Sequence, residues 1–291
     1  GCARLGVDAS LLTGVGDDKV GAFIFNFLEN EGVNTHCIPT IKGTRSSAVV
    51  LGIEPPDKFP LVYYRDNAAD SQITIDDVIK AKINDYKIVL LNGTALNIEP
   101  TRSATFFAAE VADKNDIDVV LDLDFRADQW HDYRAFGLTI RALLPKVKIA
   151  IGTEEEILAA TMSSTSQVTI KDQQISAPEI KGDIDSSIHQ LLALGIETLI
   201  VKRGSAGASI HYPDGSKKDV PGFPVEILNV LGAGDAFASG FLYGILQDWD
   251  LYKSCRMGNA SGAQVVTKKG CANFMPYLNE SMSFINERGG F

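Results

Sequence analysis

The sequence predicts a doubly wound α/β fold: a mostly parallel sheet with helices on both faces and a small β lid. Three observations carry that prediction. From Asp70 onward, apolar strand-like runs alternate with helix-like runs, the pattern of repeated βα units. The strand runs KIVLLNG, IDVVLDLD, KVKIAIG and TLIVKRG are apolar almost throughout, as strands covered on both faces are. The pair SSAVVLGI and FPLVYYR, separated by the turn-forming EPPDK, reads instead as two short paired strands set between helices.

Each element has its own signal. In VGDDKVGAFIFNFLENEGV, Asp17 or Asp18 can cap a helix whose Val20, Phe23, Ile24, Phe27 and Leu28 recur at helical spacing, and the helix is expected to pack on a sheet. TIDD offers a capping-box start, ATFFAAEVADK a helix, and a further helix is expected between His131 and Leu144. EEEILAA and IDSSIHQLLALG continue the alternation. Residues 163–181 are polar and without helical period, as in a surface excursion. The expected organisation is an α/β domain over 1–45 and 66–291, with 46–65 as part of the lid.

Bulk properties narrow the function. The 291 residues are 45% hydrophobic and 22% charged, enough to bury a core. With 27 basic against 37 acidic residues the chain carries a formal charge of -10, and no basic cluster exceeds a pair such as Lys217-Lys218. That argues against nucleic acid as a partner. No apolar run approaches the roughly 20 residues that span a bilayer, and GCARLGVDAS is not built as a signal peptide. The expectation is therefore a cytoplasmic protein without a membrane partner. Cys2, Cys37, Cys255 and Cys271 lack metal or redox spacing and read as free thiols.

Ligands of open α/β sheets collect at the carboxyl ends of the strands. There the sequence places Asn92 and Gly93, the run from Asp122 to Arg126, Gly152 to Glu155, Lys202 to Gly204, and Gly232 to Asp235. The last group belongs to NVLGAGDAFASGFLYGIL, an acid behind small residues at the start of a helix. Two readings are open: a glycine turn with Asp235 favouring the helix dipole, or an anion site in which Ala233 and Gly234 offer backbone N–H groups and Asp235 is a general base.

The segment from Asn229 to Leu242 resembles the carboxy-terminal signature of the ribokinase-like (PfkB) carbohydrate kinases, and ARLG with VGDDKVG resembles their amino-terminal one. The resemblance covers most of the chain, from Ala3 to beyond Pro276. It implies Asp235 as catalytic base, with Gly232, Ala233 and Gly234 as the anion hole. In IGTEEE, Glu155 falls where the family places a glutamate for the Mg²⁺ of ATP, although Gly152 replaces the motif's asparagine. Lys202, Gly204 and Gly207 of VKRGSAG, and Asn259 of GNASGAQVV, match positions flanking the nucleotide; a hairpin turn and a surface helix position are the rival readings. Asn229 and Val230 stand where a DT pair often opens the signature, so a monovalent cation is implied only in part.

FPLVYYRDNAAD and DLDFRADQW resemble the acid-sugar branch of the family, which implies Tyr63, Arg65 and Arg126 as substrate-binding residues. Arginine suits a carboxylate because its planar fork donates two parallel hydrogen bonds. The implied activity is ATP-dependent phosphorylation of a sugar-acid hydroxyl, with 5-dehydro-2-deoxygluconate ahead of 2-keto-3-deoxygluconate, and the lid implies a homodimer. Family members carry a first strand and a glycine-rich turn before the point where this chain starts. On that ground the amino-terminal strand is expected to be missing, leaving an unpaired sheet edge and weak sugar binding. A non-catalytic nucleotide or sugar-acid binding protein is the alternative.

Overall fold

A computed structural model describes residues 1–52, 60–170 and 178–291; the expected EPPDK turn lies outside the described residues. In chain order, β1 (Val15–Gly16), α1 (Lys19–Asn30) and β2 (Thr40–Ile41) precede β3 (Ala48–Leu51) and β4 (Leu61–Tyr64). Then α2 (Ile75–Ala81), β5 (Ile88–Asn92), α3 (Thr101–Lys114), β6 (Asp118–Asp122), α4 (Tyr133–Leu143), β7 (Ile149–Thr153) and α5 (Glu154–Thr161) alternate. The chain continues through β8 (Val168–Thr169), β9 (Glu179–Ile180), α6 (Ile184–Leu192), β10 (Thr198–Lys202), β11 (Ala208–His211) and β12 (Lys217–Val220). Three helices follow: α7 (Ala233–Leu246), α8 (Leu251–Val266) and α9 (Leu278–Asn286).

The main sheet runs β12-β11-β10-β7-β6-β5. Strands β5, β6, β7 and β10 are parallel, and β11 and β12 turn back antiparallel. Alternation of side chains sorts the apolar strands onto two faces. Val119 and Leu121 of β6, Ala150 of β7 and Leu199 and Val201 of β10 join a core with Phe136, Ile140, Ile157 and Leu191 from α4, α5 and α6. Their neighbours Val120, Ile151 and Ile200 join Phe237, Phe241 and Leu242 of α7 and Cys255 of α8 on the other face. Each fully buried side chain of this kind contributes roughly 1.5–3 kcal/mol of transfer free energy, so two covered faces explain why the strands read as continuous apolar runs.

Register then levels the strand ends. Asn92 pairs with Asp122, Asp122 with Ile151, and Lys202 with Thr153. The residues at the carboxyl ends of β5, β6, β7 and β10 therefore line one rim of the sheet.

Strands β3 and β4 pair antiparallel, with Val49 opposite Tyr63 and Val50 opposite Val62. Leu61 is buried and Tyr63 partly so, whereas Val62 and Tyr64 are exposed, so this small sheet has an inner and an outer face. The polar run at 163–181 is more structured than expected at its two ends, where β8 and β9 pair.

Helix α1 forms, with the Asp18 carboxylate accepting from Gly21 N–H at 2.7 Å, and it packs on a sheet as expected, though on β1 of the small β1-β2 pair rather than on the main sheet. Only Gly21 of this helix is buried; Phe23 is 67% exposed and Val20 is 47% exposed. The helical period identified an apolar stripe correctly, but β1 and β2 form a separate two-stranded sheet too small to cover it. At the sheet edge β5 likewise leaves Leu90 exposed. Among the described residues no helix is long and apolar enough to cross a membrane.

Candidate active site

The loop before α7 is shaped by Asn229, whose buried side-chain oxygen accepts from Leu231 N–H at 2.8 Å. Gly232 then caps the helix at φ 85°, in the left-handed region, and a Cβ there would sit 2.6 Å from the Cys271 Cβ. Both facts demand glycine. The first turn differs from expectation in one respect. The Ala233 N–H donates to the Val230 carbonyl at 3.3 Å, so it is not an open donor. Among the described residues, the N–H groups of Gly234 and Asp235 have no such acceptor, and Ala236 is the first to close the helical ladder, onto Gly232.

Above Gly234 the space is open except for Lys202, whose Nζ would lie 3.4 Å from an added Cβ. Lys202 reaches this place because β10 lies next to β7 and one strand from β6. Its ammonium is 3.0 Å from Asp122 and 3.6 Å from Glu156, both buried. Burial works against the lysine's charge, but Asp122 and Glu156 outweigh it and hold its pKa above the ordinary lysine value. Burial likewise pushes the Glu156 carboxyl up, with Lys202 pulling against it. Glu156 also closes the capping box of α5, accepting from Thr153 N–H at 2.7 Å.

Asp235 stands at the mouth of this cluster. Its side chain is exposed to water at that mouth, with protein atoms crowding its other sides. That desolvation, with the charges of Asp124 and Asp122, pushes its pKa up to about 6 against the pull of Arg126 and Lys202. A carboxyl tuned toward neutrality is what a general base at the start of a helix requires.

On the opposite wall, Arg126 is ion-paired with Asp124, a residue held at φ 39°. Tyr63 of the inner lid face lies against Arg126; burial raises the Tyr63 pKa, and Arg126 opposes the shift. Arg65 is more committed than expected. Its Nε donates to Asp70 at 2.6 Å, and its Nη1 donates to the Thr94 carbonyl at 3.1 Å and to Gln129 Oε1 at 2.7 Å. Among the described residues Nη2 has no partner, which leaves it to meet a ligand.

The remaining sequence-derived residues fall into two groups. Asp235, Gly234, Lys202, Arg126 and Tyr63 converge on the rim. Gly204 opens the short turn after β10, and Gly207 backs onto the chain at Pro221 and Gly222, in the hairpin that was the rival reading. Asn259 is buried on α8, where its Nδ2 donates to the Val220 and Pro221 carbonyls at 3.3 and 3.0 Å and so clamps the end of β12. Glu155 is half-buried, and its neighbour Glu156 is the glutamate that enters the charged cluster. Asp122 and Asp124 lie in the strand-end run that the sequence marks but were given no role there; Glu156 was not singled out, and the capping-box spacing T-x-x-E was its available signal.

Among the described residues, no three or more His, Cys, Asp or Glu side chains gather as a metal cage. The donor set does fit a magnesium ion carried by nucleotide phosphates, which needs only one or two protein carboxylates. The open cradle over Gly234, with free N–H groups and an ammonium, fits the phosphates themselves.

Comparison with known proteins agrees with this geometry. The chain is 30% identical over 289 residues to the 5-dehydro-2-deoxygluconokinase of Clostridium tetani, covering 99% of this chain and 81% of the relative. The enzyme of the same name from Geobacillus kaustophilus is 29% identical over 288 residues, covering 99% and 82%. In fold, the chain resembles a fructokinase with bound ATP from Xylella fastidiosa, with a TM-score of 0.84 at 23% identity over 98% of this chain and 87% of that one. An aminoimidazole riboside kinase from Salmonella enterica, complexed with aminoimidazole riboside and an ATP analog, gives 0.80 at 22% identity over 97% and 88%. The architecture is thus ribokinase-like, and because the description "pfkB family carbohydrate kinase" matches residues 1–278, the chain belongs to that family of carbohydrate kinases.

Proposed function

We propose that the chain transfers the terminal phosphoryl group of ATP to a hydroxyl of a sugar acid, 5-dehydro-2-deoxygluconate first among candidates. The observation that carries the reading is Asp235, with a pKa near 6, beside the open N–H groups of α7 and the Lys202 ammonium. Asp235 accepts the hydroxyl proton as that oxygen bonds to phosphorus and the bond from phosphorus to the bridging oxygen of ADP breaks. Gly234, Asp235 N–H and Lys202 hold the phosphoryl oxygens, whose charge is otherwise uncompensated. Magnesium, when bound, neutralises phosphate charge; Glu156 is the best-placed carboxylate for it, with Glu155 beside it in sequence. Gly204 and Gly207 would border the nucleotide.

Arg126, Tyr63 and the free edge of Arg65 supply the carboxylate-binding wall, and the names of the curated relatives support this acid over a neutral sugar. Strands β3 and β4, within 46–65, act as the lid. Their outer face, with Val50, Val62 and Tyr64 each at least 48% exposed, supports a homodimer through the lid. Val62→Lys is then expected to shift sedimentation from dimer to monomer; a wild-type chain that sediments as a monomer sinks that part of the reading.

The test is ADP release with 5-dehydro-2-deoxygluconate, 2-keto-3-deoxygluconate and fructose as acceptors. The first acid is expected to give the highest kcat/KM, and turnover of fructose alone would exclude the acid wall. Asp235→Asn is expected to lower kcat by about 10²–10⁴-fold, the usual worth of a general base. In the wild type, kcat/KM should fall as pH drops below about 6, because protonated Asp235 cannot accept the proton.

A further inference from the structure

Arg65 and Arg126 come from different parts of the chain, one just after β4 and one in the loop after β6. A residue that the kinase reading leaves unused links the two segments. Gln129 N–H donates to the Arg126 carbonyl at 3.1 Å, closing a tight turn behind that arginine. Its side-chain oxygen accepts from Arg65 Nη1 at 2.7 Å. Because a guanidinium only donates, the oxygen and not the nitrogen of the Gln129 amide must face it.

Two further contacts stiffen this joint. Asn97 Nδ2 donates to the Gln129 backbone oxygen at 3.3 Å and lies 3.4 Å from its side-chain oxygen. Asp70 holds the other side of Arg65 through Nε, and its second oxygen, Oδ1, is buried without a partner. Moving Arg65 away would cost the half-buried Asp70 carboxylate its ion pair. With Tyr63 against Arg126, the joint forms a closed ring: Tyr63 and Arg65 on the lid side, Arg126 and Gln129 on the loop side.

We propose that Gln129 is a positioning residue for substrate recognition, tying the Arg65 guanidinium to the turn that carries Arg126 so that both arginines meet the same carboxylate. This rests on the sugar-acid reading above. Two hydrogen-bonding groups held in place by their neighbours bind a planar anion better than two mobile ones, since less ordering is left to the ligand. Gln129 touches no reacting atom, so its effect belongs in substrate binding rather than in chemistry.

The experiment uses the whole chain and two variants with 5-dehydro-2-deoxygluconate, fructose and ATP. Gln129→Met keeps the length and removes the acceptor; KM for the acid is expected to rise about tenfold, the worth of one lost hydrogen bond. Under the same inference kcat stays within about threefold and KM for ATP within about twofold, because the Gln129 side chain bonds to Arg65 and Asn97 and not to Lys202, Gly234 or Asp235. Gln129→Glu keeps an oxygen on Arg65 and should raise KM for the acid less than Gln129→Met does. Loss of ATP affinity in step with a fall in melting temperature would mark a structural role only and overturn the inference. So would an unchanged KM for the acid in Gln129→Met while the wild type prefers acid to fructose. A wild type that prefers fructose fails instead at the sugar-acid reading, which takes the inference with it.

Discussion

Two regions of this molecule use apolar residues in opposite ways. Where β6, β7 and β10 meet α7, both faces of the sheet are covered, and the strand ends present Asp122 and Lys202 within a dry, paired cluster. Along α1, the lid and the β5 edge, apolar side chains of similar size stay in solvent, including Phe23, Val50, Tyr64 and Leu90. The lesson is that an amphipathic pattern declares a face but not its cover. In the first region neighbouring helices are brought over the sheet by βα connections; in the second, β1 pairs with β2 and β3 with β4 as separate two-stranded sheets, and β5 stands at the edge of the main sheet.

The comparison breaks hardest at Lys202. Its ammonium is the only cation bonded to Asp122 and Glu156 among the described residues, so Lys202→Met leaves two buried acids without compensation. The expected cost is roughly 3–5 kcal/mol, read as a large fall in melting temperature or denaturant midpoint, together with a raised KM for ATP. A variant that melts within a degree or two of wild type would show that the cluster is wetter than its geometry implies.

Asp235 sharpens the comparison from the functional side, because a site tuned for chemistry should cost stability. Its pKa of about 6 in the folded chain lies above the ordinary 3.8. Between those values the folded state keeps a proton that the unfolded chain has released, so stability falls as pH rises through that window, and the penalty is complete above about pH 6. Asp235→Asn removes the penalty while abolishing the base. Its melting temperature should therefore exceed that of wild type at pH 7.5, and the gap should close toward pH 4. Water at the carboxylate screens the effect, so a modest shift is expected rather than the full value of the pKa change.

The strands of the covered region were legible because uniformly apolar runs punctuated by Gly, Asp and Asn leave few alternatives to buried parallel strands. Asp235, Lys202 and Asp122 were legible as residues at or just past strand ends. Their pairing was not. Asp122 meets Lys202 across β7, and no spacing along the chain encodes a register between strands that are not neighbours in sequence. The same holds for Arg65, whose charge pointed to a ligand while its bonds to Asp70, Thr94 and Gln129 depend on where three loops meet. Asn259 read as surface or cofactor-facing because helical period cannot tell a buried polar clamp from an exposed one. Helix α9 went unread, its nine residues LNESMSFIN offering little apolar period.

The smallest expected effect tests the exposed side of the comparison directly. Phe23 stacks on Phe27 with ring centroids 6.2 Å apart but keeps 67% of its surface in water. Phe241, of the same residue type, is fully buried between α7 and the sheet. Truncating a buried phenylalanine costs about 3–5 kcal/mol, whereas an exposed substitution usually stays within about 0.5 kcal/mol. Phe23→Ser should thus leave the melting temperature nearly unchanged and, by removing an apolar group from an uncovered helix face, raise the concentration at which the chain stays in solution. A loss approaching that of a core phenylalanine would mean that the α1 stripe is covered in solution, and the contrast between the two regions would then be one of partner rather than of packing.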